Sequence, residues 1–574
     1  MTIHRFAFSI GMGLALVAAT AWGQFPFSGP SIFSVFNAAS YADSGRSNGG
    51  IACGSMFVVK GAVIGPVPLQ MASGFPLRTE LAGTSIQVQA SGRSWDALMV
   101  YTSWDQAAAV LPSAVPPGEA TIRLTFEGRT SSPIPMRVVP RSFGVFTRNQ
   151  AGSGPGIVQN ADSGGGRALN GLTQPARPRQ TVIVWGTGLG PVSGEEAAGP
   201  LPGNMDANVE VLIGGKPATV LYQGRSGCCA GLDEIAVETP AGVEGCYVPV
   251  VVRTGDVWSN FATMSVATSG GVCAELSSLP DPAVEKLKRG EDLSVGQIEL
   301  LRFLVRAEAG GMSAEAIIDA GFGHFTRFSQ QQFLASQSAK SFWLAGAPSP
   351  GYCLLLRPQE VLDFLPFPVL EDPALWDRTR ALDAGPMLSV AGPQGVKNLN
   401  RSSSRYFSLL GGLDPEDGRT LPVFLEPGNY SAENGGGGKD VGGFRVTHNL
   451  PGGATWTNRS SLREISRERD LTLEWSSPNA AEQVVTAVAS SSDGVGAHDW
   501  YLLCSERAAA GRLTVPASML SQLARSTYAD GIPMGFAGLV TTPTAEAGGK
   551  FSAPGIDAVR FSYALAELQM LAFR

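Results

Sequence analysis

Charge is scarce in this 574-residue chain: Asp, Glu, Lys and Arg make up 16% of it, against about 25% in an average soluble protein. A sequence so poor in charge and 44% apolar is not a solvated, disordered polyelectrolyte. Positive charge does not dominate either. Lys and Arg number 42 against 49 Asp and Glu, a net −7, so the phosphate-neutralising surplus that DNA or RNA binding needs is missing and nucleic acid is not an expected partner. Histidine is limited to His4, His324, His448 and His498, and no Cys-x-x-Cys pair occurs. A zinc site of ordinary spacing is thereby excluded, and no metal or cofactor is expected. Beyond residue 23 no run of 18 uninterrupted apolar residues exists, so the mature chain is expected to carry no transmembrane helix.

What the sequence does have is turns. Gly (71) and Pro (39) together supply 110 of 574 residues, above average and below the roughly 25 to 30% of low-complexity chains, as suits many short strands. The first 23 residues read as a secretory signal peptide: Arg5, the mostly apolar run Phe6 to Ala19, then Ala21-Trp22-Gly23 with small residues at the cleavage positions. Cleavage after Gly23 leaves a net charge of −8 (41 against 49) and places the protein outside the cytoplasm, as a secreted, periplasmic or cell-surface chain. The seven cysteines then enter an oxidising space. Cys228, Cys229, Cys246 and Cys273 cluster and are expected to form two bridges, Cys246 with Cys228 or Cys229 and the remaining one of that pair with Cys273. Cys353 and Cys504 are expected to form a third, leaving Cys53 as a buried, unpaired thiol.

An internal repeat organises the first half. Phe57 to Pro66 recurs as Val182 to Pro191, with Gly61 answering to Gly186, and Pro117 to Leu124 recurs as Glu244 to Val251. Thr121 to Phe126 alternates apolar and polar residues clearly and Val248 to Arg253 loosely, each run ending in turn residues, which means half-buried strands. Two successive immunoglobulin-like β-sandwiches follow, over residues 24–140 and 141–273. Asn37-Ala38-Ala39-Ser40-Tyr41, the Gly-x-x-x-Gly-Pro turns, Val139 to Phe146 and Ser259-Asn260 resemble the Solibacter-type C-terminal domain family, a duplicated Ig-like unit of exported acidobacterial proteins. The resemblance covers about residues 30–270. It implies an exported Ig-like tandem and assigns no catalytic or binding residue. The chain departs from the family's Gln-Ile-Asn at Gln106-Ala107-Ala108 and Glu234-Ile235-Ala236.

After Cys273 the texture changes. Ile298, Leu301 and Val305 fall on one face of a helical period with Ser294 as N-cap, a second helix is expected after Ser313 and a third over Ser329 to Ser336. Residues 274–345 therefore read as a short helical insert, acidic on its polar face and so not a membrane-surface helix. From 346 to 574 short apolar runs separated by Gly, Pro, Asn and Asp return, giving a C-terminal β-sandwich domain and a mainly β fold overall. Its Pro427 to Tyr430 and Asp440 to Phe444 phrases resemble segments that accompany the same tandem in other acidobacterial exports.

Chemistry is thinly marked. His324, His448 and His498 read as surface or capping residues, and Gly45 to Gly49, which has the letters of a nucleophile elbow, lies in a polar loop with no helix after it. The Ser402 to Ser404 run reads as a loop. Glu371-Asp372 could belong to a glycosidase pair, but Pro373 makes a turn of it. Asp414 to Gly418 lacks the alternate spacing of an EF-hand, and Gly435 to Lys439 is followed by Asp440 where a phosphate loop needs Ser or Thr; both read as hairpin tips, the second a flexible one. Trp376, Tyr406, Tyr430, Trp456, Trp475 and Trp500 are the candidate binding aromatics, since exposed rings stack on sugars or anchor interfaces, although most rings of a sandwich are expected in its core. The expectation is an exported multidomain β protein for extracellular binding, adhesion or scaffolding toward an extracellular protein or a glycan. The alternative is an extracellular polysaccharide-degrading enzyme, or its carbohydrate-binding accessory.

Overall fold

The computed structural model describes residues 29–42, 44, 46–268, 271–273, 279–309, 312–335, 347–356, 380–403, 405–415, 417–494 and 500–574. The signal segment, Trp376, Glu371-Asp372 and His498 lie outside the described residues. The chain is mainly β and divides into two compact units, one ending at Gly271 and one formed by Val272–Arg574 with Gly245–Tyr247.

In the first unit, Ser31–Asn37, Met56–Ala62, Gln106–Val110, Leu98–Thr102 and Gln70–Met71 form one sheet, while Ile51–Ala52, Ile134–Val139, Gly118–Phe126, Thr84–Ala90 and Glu80–Leu81 form the path of another. Alternation does the sorting: Ile86, Val88, Ile122 and Leu124 face inward against Phe57, Val59, Ala107 and Ala109, while Gln87, Gln89 and Arg123 on the same strands point to water. A second sandwich repeats this plan. Gly154–Pro155, Ala262–Val266, Gly245–Thr254 and Val209–Ile213 follow one another as their counterparts do in the first, including the parallel pairing of the first two. Thr181–Thr187, Asp233–Glu238 and Lys216–Arg225 answer to Met56–Ala62, Gln106–Val110 and Leu98–Thr102. Lys216–Arg225 joins both sheets, pairing with Val211–Ile213 and then, past a shift between Val220 and Tyr222, with Asp233–Glu238.

Gly61 and Gly186 sit at the same place in equivalent strands, for a reason other than backbone twist. Neither has positive φ. A Cβ on Gly61 would lie 2.1 Å from Ser31 O, and one on Gly186 would lie 2.3 Å from Gly144 O, so each glycine admits the backbone of the strand paired beside it.

The second unit corrects the helical insert. Residues Leu293–Ala309 and Met312–Phe328 are two strands of 17 residues each, in unbroken antiparallel register from Leu293↔Phe328 to Ala309↔Met312. At about 3.3 Å per residue each is about 55 Å long. Among the described residues of this stretch, helix is confined to Asp281–Lys288 before the hairpin and Gln330–Ala335 after it. The second is capped reciprocally: Ser329 Oγ accepts from Gln332 N, and Gln332 Oε1 accepts from Ser329 N. The hairpin is the centre of the C-terminal unit, so the boundary read at 345 divides one fold. Ile556–Met570 runs parallel beside Leu293–Ala309 from Val295↔Ala558 to Arg306↔Gln569.

From this three-stranded spine the sheet extends both ways. Arg405–Leu413, Gly395–Ser402, Met387–Gly392, Gly428–Glu433 and Arg445–Leu450 continue one side; Gly535–Pro543, Gln483–Ser491, Trp500–Arg507 and Tyr352–Leu356 continue the other. Val446 and Leu450 of the terminal strand share a core with Val559 and Phe561 of the spine, so in place of the expected two-sheet sandwich one large sheet curls back on itself, with a small sheet of Thr455–Trp456, Leu471–Ser476 and Arg512–Val515 beside it. Ion pairs fasten the spine. Arg302 grips Asp319 in bidentate fashion at 2.7 and 2.8 Å, and Asp319, wholly buried, also accepts from Phe424 N and Leu425 N. Arg306 binds both Glu315 and Glu567.

Candidate functional site

The candidate aromatics of the last unit do not form a face. Tyr406, Tyr430, Trp456 and Trp475 are core residues, and each polar tip is satisfied inside. Tyr406 donates to Gly385 O, Tyr430 to Glu426 O, Trp456 to Asn458 Oδ1 and Trp475 to Ala508 O. Burial pushes the Tyr430 phenol up to about 12. Trp500 is half-buried at a strand start. Tyr406 and Tyr430 fill the interior of the curled sheet, where their area stabilises most, and Trp456 and Trp475 pair in the small sheet beside it.

His324 and His448 are more deeply set than surface groups. His324 lies in the long hairpin and His448 in Arg445–Leu450, both half-buried. Desolvation first, then Arg405 for His324 and Arg560 for His448, pushes each down to about 4, so both are neutral at pH 7. His448 stacks on Tyr563. The Gly435 to Lys439 loop is packed on one side only: a Cβ on Gly438 would meet Gly385 N at 2.2 Å, whereas Gly435 and Gly436 have nothing within 4 Å. Arg46 O and Ser47 O are held by Arg137, Ser402 and Arg405 end and begin the strands of a hairpin, and Asp417 pairs with Arg419 in a turn closed by Asp414. Among the described residues no three His, Cys, Asp or Glu side chains gather as a metal-binding group.

Covalent structure follows the expectation in part. Cys353 and Cys504 face each other across adjacent strands and are bridged, and Cys53 is a buried free thiol. The other pairing is a correction: Cys246 bonds Cys273, and Cys228 bonds its neighbour Cys229. The strand beginning at Gly245 pairs with Val209–Ile213, whereas residues 226–232 connect Lys216–Arg225 to Asp233–Glu238 in the opposite sheet. Cys246 therefore does not return beside the Cys228-Cys229 segment. Spans of 27 and 151 residues restrict the unfolded chain by about 3.6 and 5 kcal/mol on the loop-entropy argument, and a span of one residue by far less.

The densest polar constellation lies where the two sandwiches of the first unit meet. Strand Thr181–Thr187 ends in Gly188-Leu189-Gly190-Pro191, and Gly188, at φ +112°, passes so close to Ser142 that a Cβ would lie 2.1 Å from its carbonyl oxygen. The turn points the N–H groups of Gly188 and Leu189 at Asp233 Oδ2, 2.8 Å from each. Asp233 Oδ1 lies 3.3 Å from Arg225 Nε, and both side chains are almost wholly buried. Arg225 in turn donates to Gly54 O of the first sandwich at 2.8 Å and to Gly190 O of the second at 3.0 Å. Burial raises the Asp233 carboxyl to about 6 against the pull of Arg225 and the two amides.

Other links reinforce the joint. Met56 N donates to Thr187 Oγ1, which donates to Gly231 O. Glu196 accepts from both Ser113 N and Ser113 Oγ at 2.8 Å. Asn37 Nδ2 donates to Ser142 O across the joint, and within the second sandwich Asn260 holds Val145 through both its N–H and its C=O. Buried members of this set, such as Asn37 Nδ2 to Ser142 O and Thr187 Oγ1 to Gly231 O, act where the low dielectric strengthens a hydrogen bond. Arg225, Asp233 and Glu196 were not singled out by sequence reasoning. An Arg and an Asp eight positions apart carry no signal until the loop between them closes, although Asn37, Ser142 and Asn260 belong to the motifs that carried the family resemblance.

A scan against protein-family profiles finds no match, and no curated protein matches. Among solved structures the chain is similar to domains 5–6 of the S-layer protein SbsC, at 13% identity over 41% of this chain and 98% of that one, with a TM-score of 0.15. It is also similar to a structural genomics protein of unknown function from Bacteroides thetaiotaomicron, at 11% identity over 53% of this chain and a TM-score of 0.14. There it spans 59% of the other chain's length. A tandem from titin aligns at 8% identity over 69% of this chain and 93% of that one, with a TM-score of 0.11. Scores this low carry no argument, so the fold described above rests on its own strand pairings.

Proposed function

We propose that this chain is an exported β scaffold, working outside the cytoplasm in binding or adhesion, and that its first unit belongs to the Solibacter-type tandem family. The observation that carries the reading is the set of bridges Cys246–Cys273 and Cys353–Cys504, since disulfides that close long loops persist in oxidising compartments. The buried joint around Arg225 and Asp233 supports it further, because a scaffold that presents a distant surface needs successive domains that do not swing. The partner is an extracellular protein or a glycan. The test has two arms. Cells producing the full chain are fractionated, with the N-terminus sequenced and thiols counted; export, a start at Gln24 and a single free thiol, Cys53, are expected. Recovery inside the cell with all seven thiols free overturns the proposal. The purified mature chain is then applied to glycan and protein arrays, where failure to retain any ligand removes the binding role.

A further inference from the structure

Cys228 and Cys229 are neighbours in sequence, so their bond closes a ring inside a single peptide unit. It constrains almost nothing of the unfolded chain and cannot serve the purpose of the two long-span bridges. Its Cα atoms are 3.8 Å apart, the spacing of any trans neighbours. Exposure also sets it apart. Cys228 is exposed and Cys229 half-buried, whereas Cys246, Cys273 and Cys504 are buried.

The loop that carries this ring is anchored at the joint. Ser226 N donates to Leu232 O, and Cys228 N to Ser226 Oγ, stitching the loop closed between Arg225 and Asp233. Directly after the ring, Ala230 is buried with Leu98 and Val110 of the first sandwich. Gly231 comes closer still: a Cβ there would lie 2.9 Å from Val110 Cγ2 and 3.2 Å from Met56 N. The ring thus immediately precedes the backbone that packs one sandwich onto the other.

We propose that Cys228–Cys229 is a site of thiol–disulfide exchange with an external dithiol, and that its redox state sets how firmly the two sandwiches are joined. In the first step a thiolate of the dithiol attacks the exposed Cys228 sulfur. The ring bond breaks, and Cys229 leaves as a thiolate that takes up a proton. The second thiol of the reagent then attacks the mixed disulfide, releasing Cys228 as a thiol and the reagent as its own disulfide. Two electrons and two protons pass to the protein. With the ring open, the turn into Ala230-Gly231 is no longer imposed, and the contacts of that segment with Val110 and Met56 loosen.

The test uses the full-length oxidised protein. Dithiothreitol is raised in steps at neutral pH, free thiols are trapped by alkylation, and peptides are mapped by mass spectrometry alongside deuterium exchange. Cys228 and Cys229 should be labelled at reductant levels that leave Cys246–Cys273 and Cys353–Cys504 closed. Exchange over residues 54–56, 187–190 and 230–232 should then rise by about tenfold or more, as local opening becomes easier, and fall again on reoxidation. A Cys228→Ser/Cys229→Ser variant should show the faster exchange from the start and no response to dithiothreitol. A ring that stays closed until the other bridges open overturns the exchange site. A ring that opens with exchange at the joint unchanged overturns the coupling, and because the native protein supplies both readouts, a variant that fails to fold does not shield the proposal.

Discussion

Replacing Asp233 by Asn isolates the balance of forces inside the joint. Burial lifts this carboxyl from 3.8 to about 6, although Arg225, Gly188 N–H and Leu189 N–H all favour the charged form; desolvation therefore outweighs the attractions. A group whose folded pKa lies above its unfolded one holds its proton more tightly when folded. Its contribution to stability is complete below pH 3.8 and is lost as the pH rises through about 6. That interval corresponds to about 3 kcal/mol. Asn keeps an oxygen for the two backbone N–H groups and has no proton to lose, so Asp233→Asn lacks the slope. Urea unfolding of both full-length proteins from pH 4 to pH 7, read as their difference, cancels the titrations they share. The variant should gain on the wild type by about 2 kcal/mol across that range, the rest of the interval lying below pH 4 where the unfolded carboxyl begins to ionise. A difference that is flat in pH refutes the desolvation argument; one of opposite sign means that the Arg225 attraction exceeds the cost of burial.

Three further outcomes are expected. Gly61→Ala and Gly186→Ala each place a Cβ against a neighbouring carbonyl and should destabilise the first unit by about 1 to 3 kcal/mol or more in thermal unfolding, whereas Gly199→Ala, with nothing within 4 Å of its Cβ, should not. Cys504→Ala should lower the stability of the full chain by about 5 kcal/mol under oxidising conditions and change it little under reducing ones; an equal loss in both would make its role packing alone. Arg302→Met leaves Asp319 buried without its cation and should cost about 3 to 5 kcal/mol in denaturant unfolding. By contrast, Arg463→Met, which removes an exposed pair with Glu308, should stay within about 1 kcal/mol.

The tandem was legible because its strands are half-buried and alternate, and because Gly61 and Gly186 mark the same crossing of backbones in both copies. The long hairpin was not. Both faces of Leu293–Ala309 carry buried residues, among them Val295, Ile298, Leu300 and Leu301, and burial on both faces erases the two-residue alternation by which a strand is read. What remained, Ile298, Leu301 and Val305, coincides with a helical spacing. Cys353–Cys504 could be foreseen from the strand-like runs that carry its two halves. The Cys228–Cys229 ring could not, since cysteine spacing does not determine connectivity. Aromatic content gave the composition of a core, as rings in β domains usually do, and not the alternative of a binding face. The joint stayed hidden for a simpler reason: its partners are mostly backbone carbonyls and amides, which every sequence possesses.

The parallel pairing at the centre of the second unit has a consequence for the order of events during synthesis. Glu299 and Ser562 are cross-strand partners 263 residues apart. Before residues 556–570 emerge, the Leu293–Ala309 hairpin and the Gly535–Pro543 strand each present an unpaired edge, and open edges recruit other chains. Closing so distant a pair is also slow, because the entropy of a long loop is lost before any contact repays it. The C-terminal unit therefore cannot finish folding strand by strand behind the ribosome. Its central seam closes last, and any nascent chain of this protein needs its edges shielded until then.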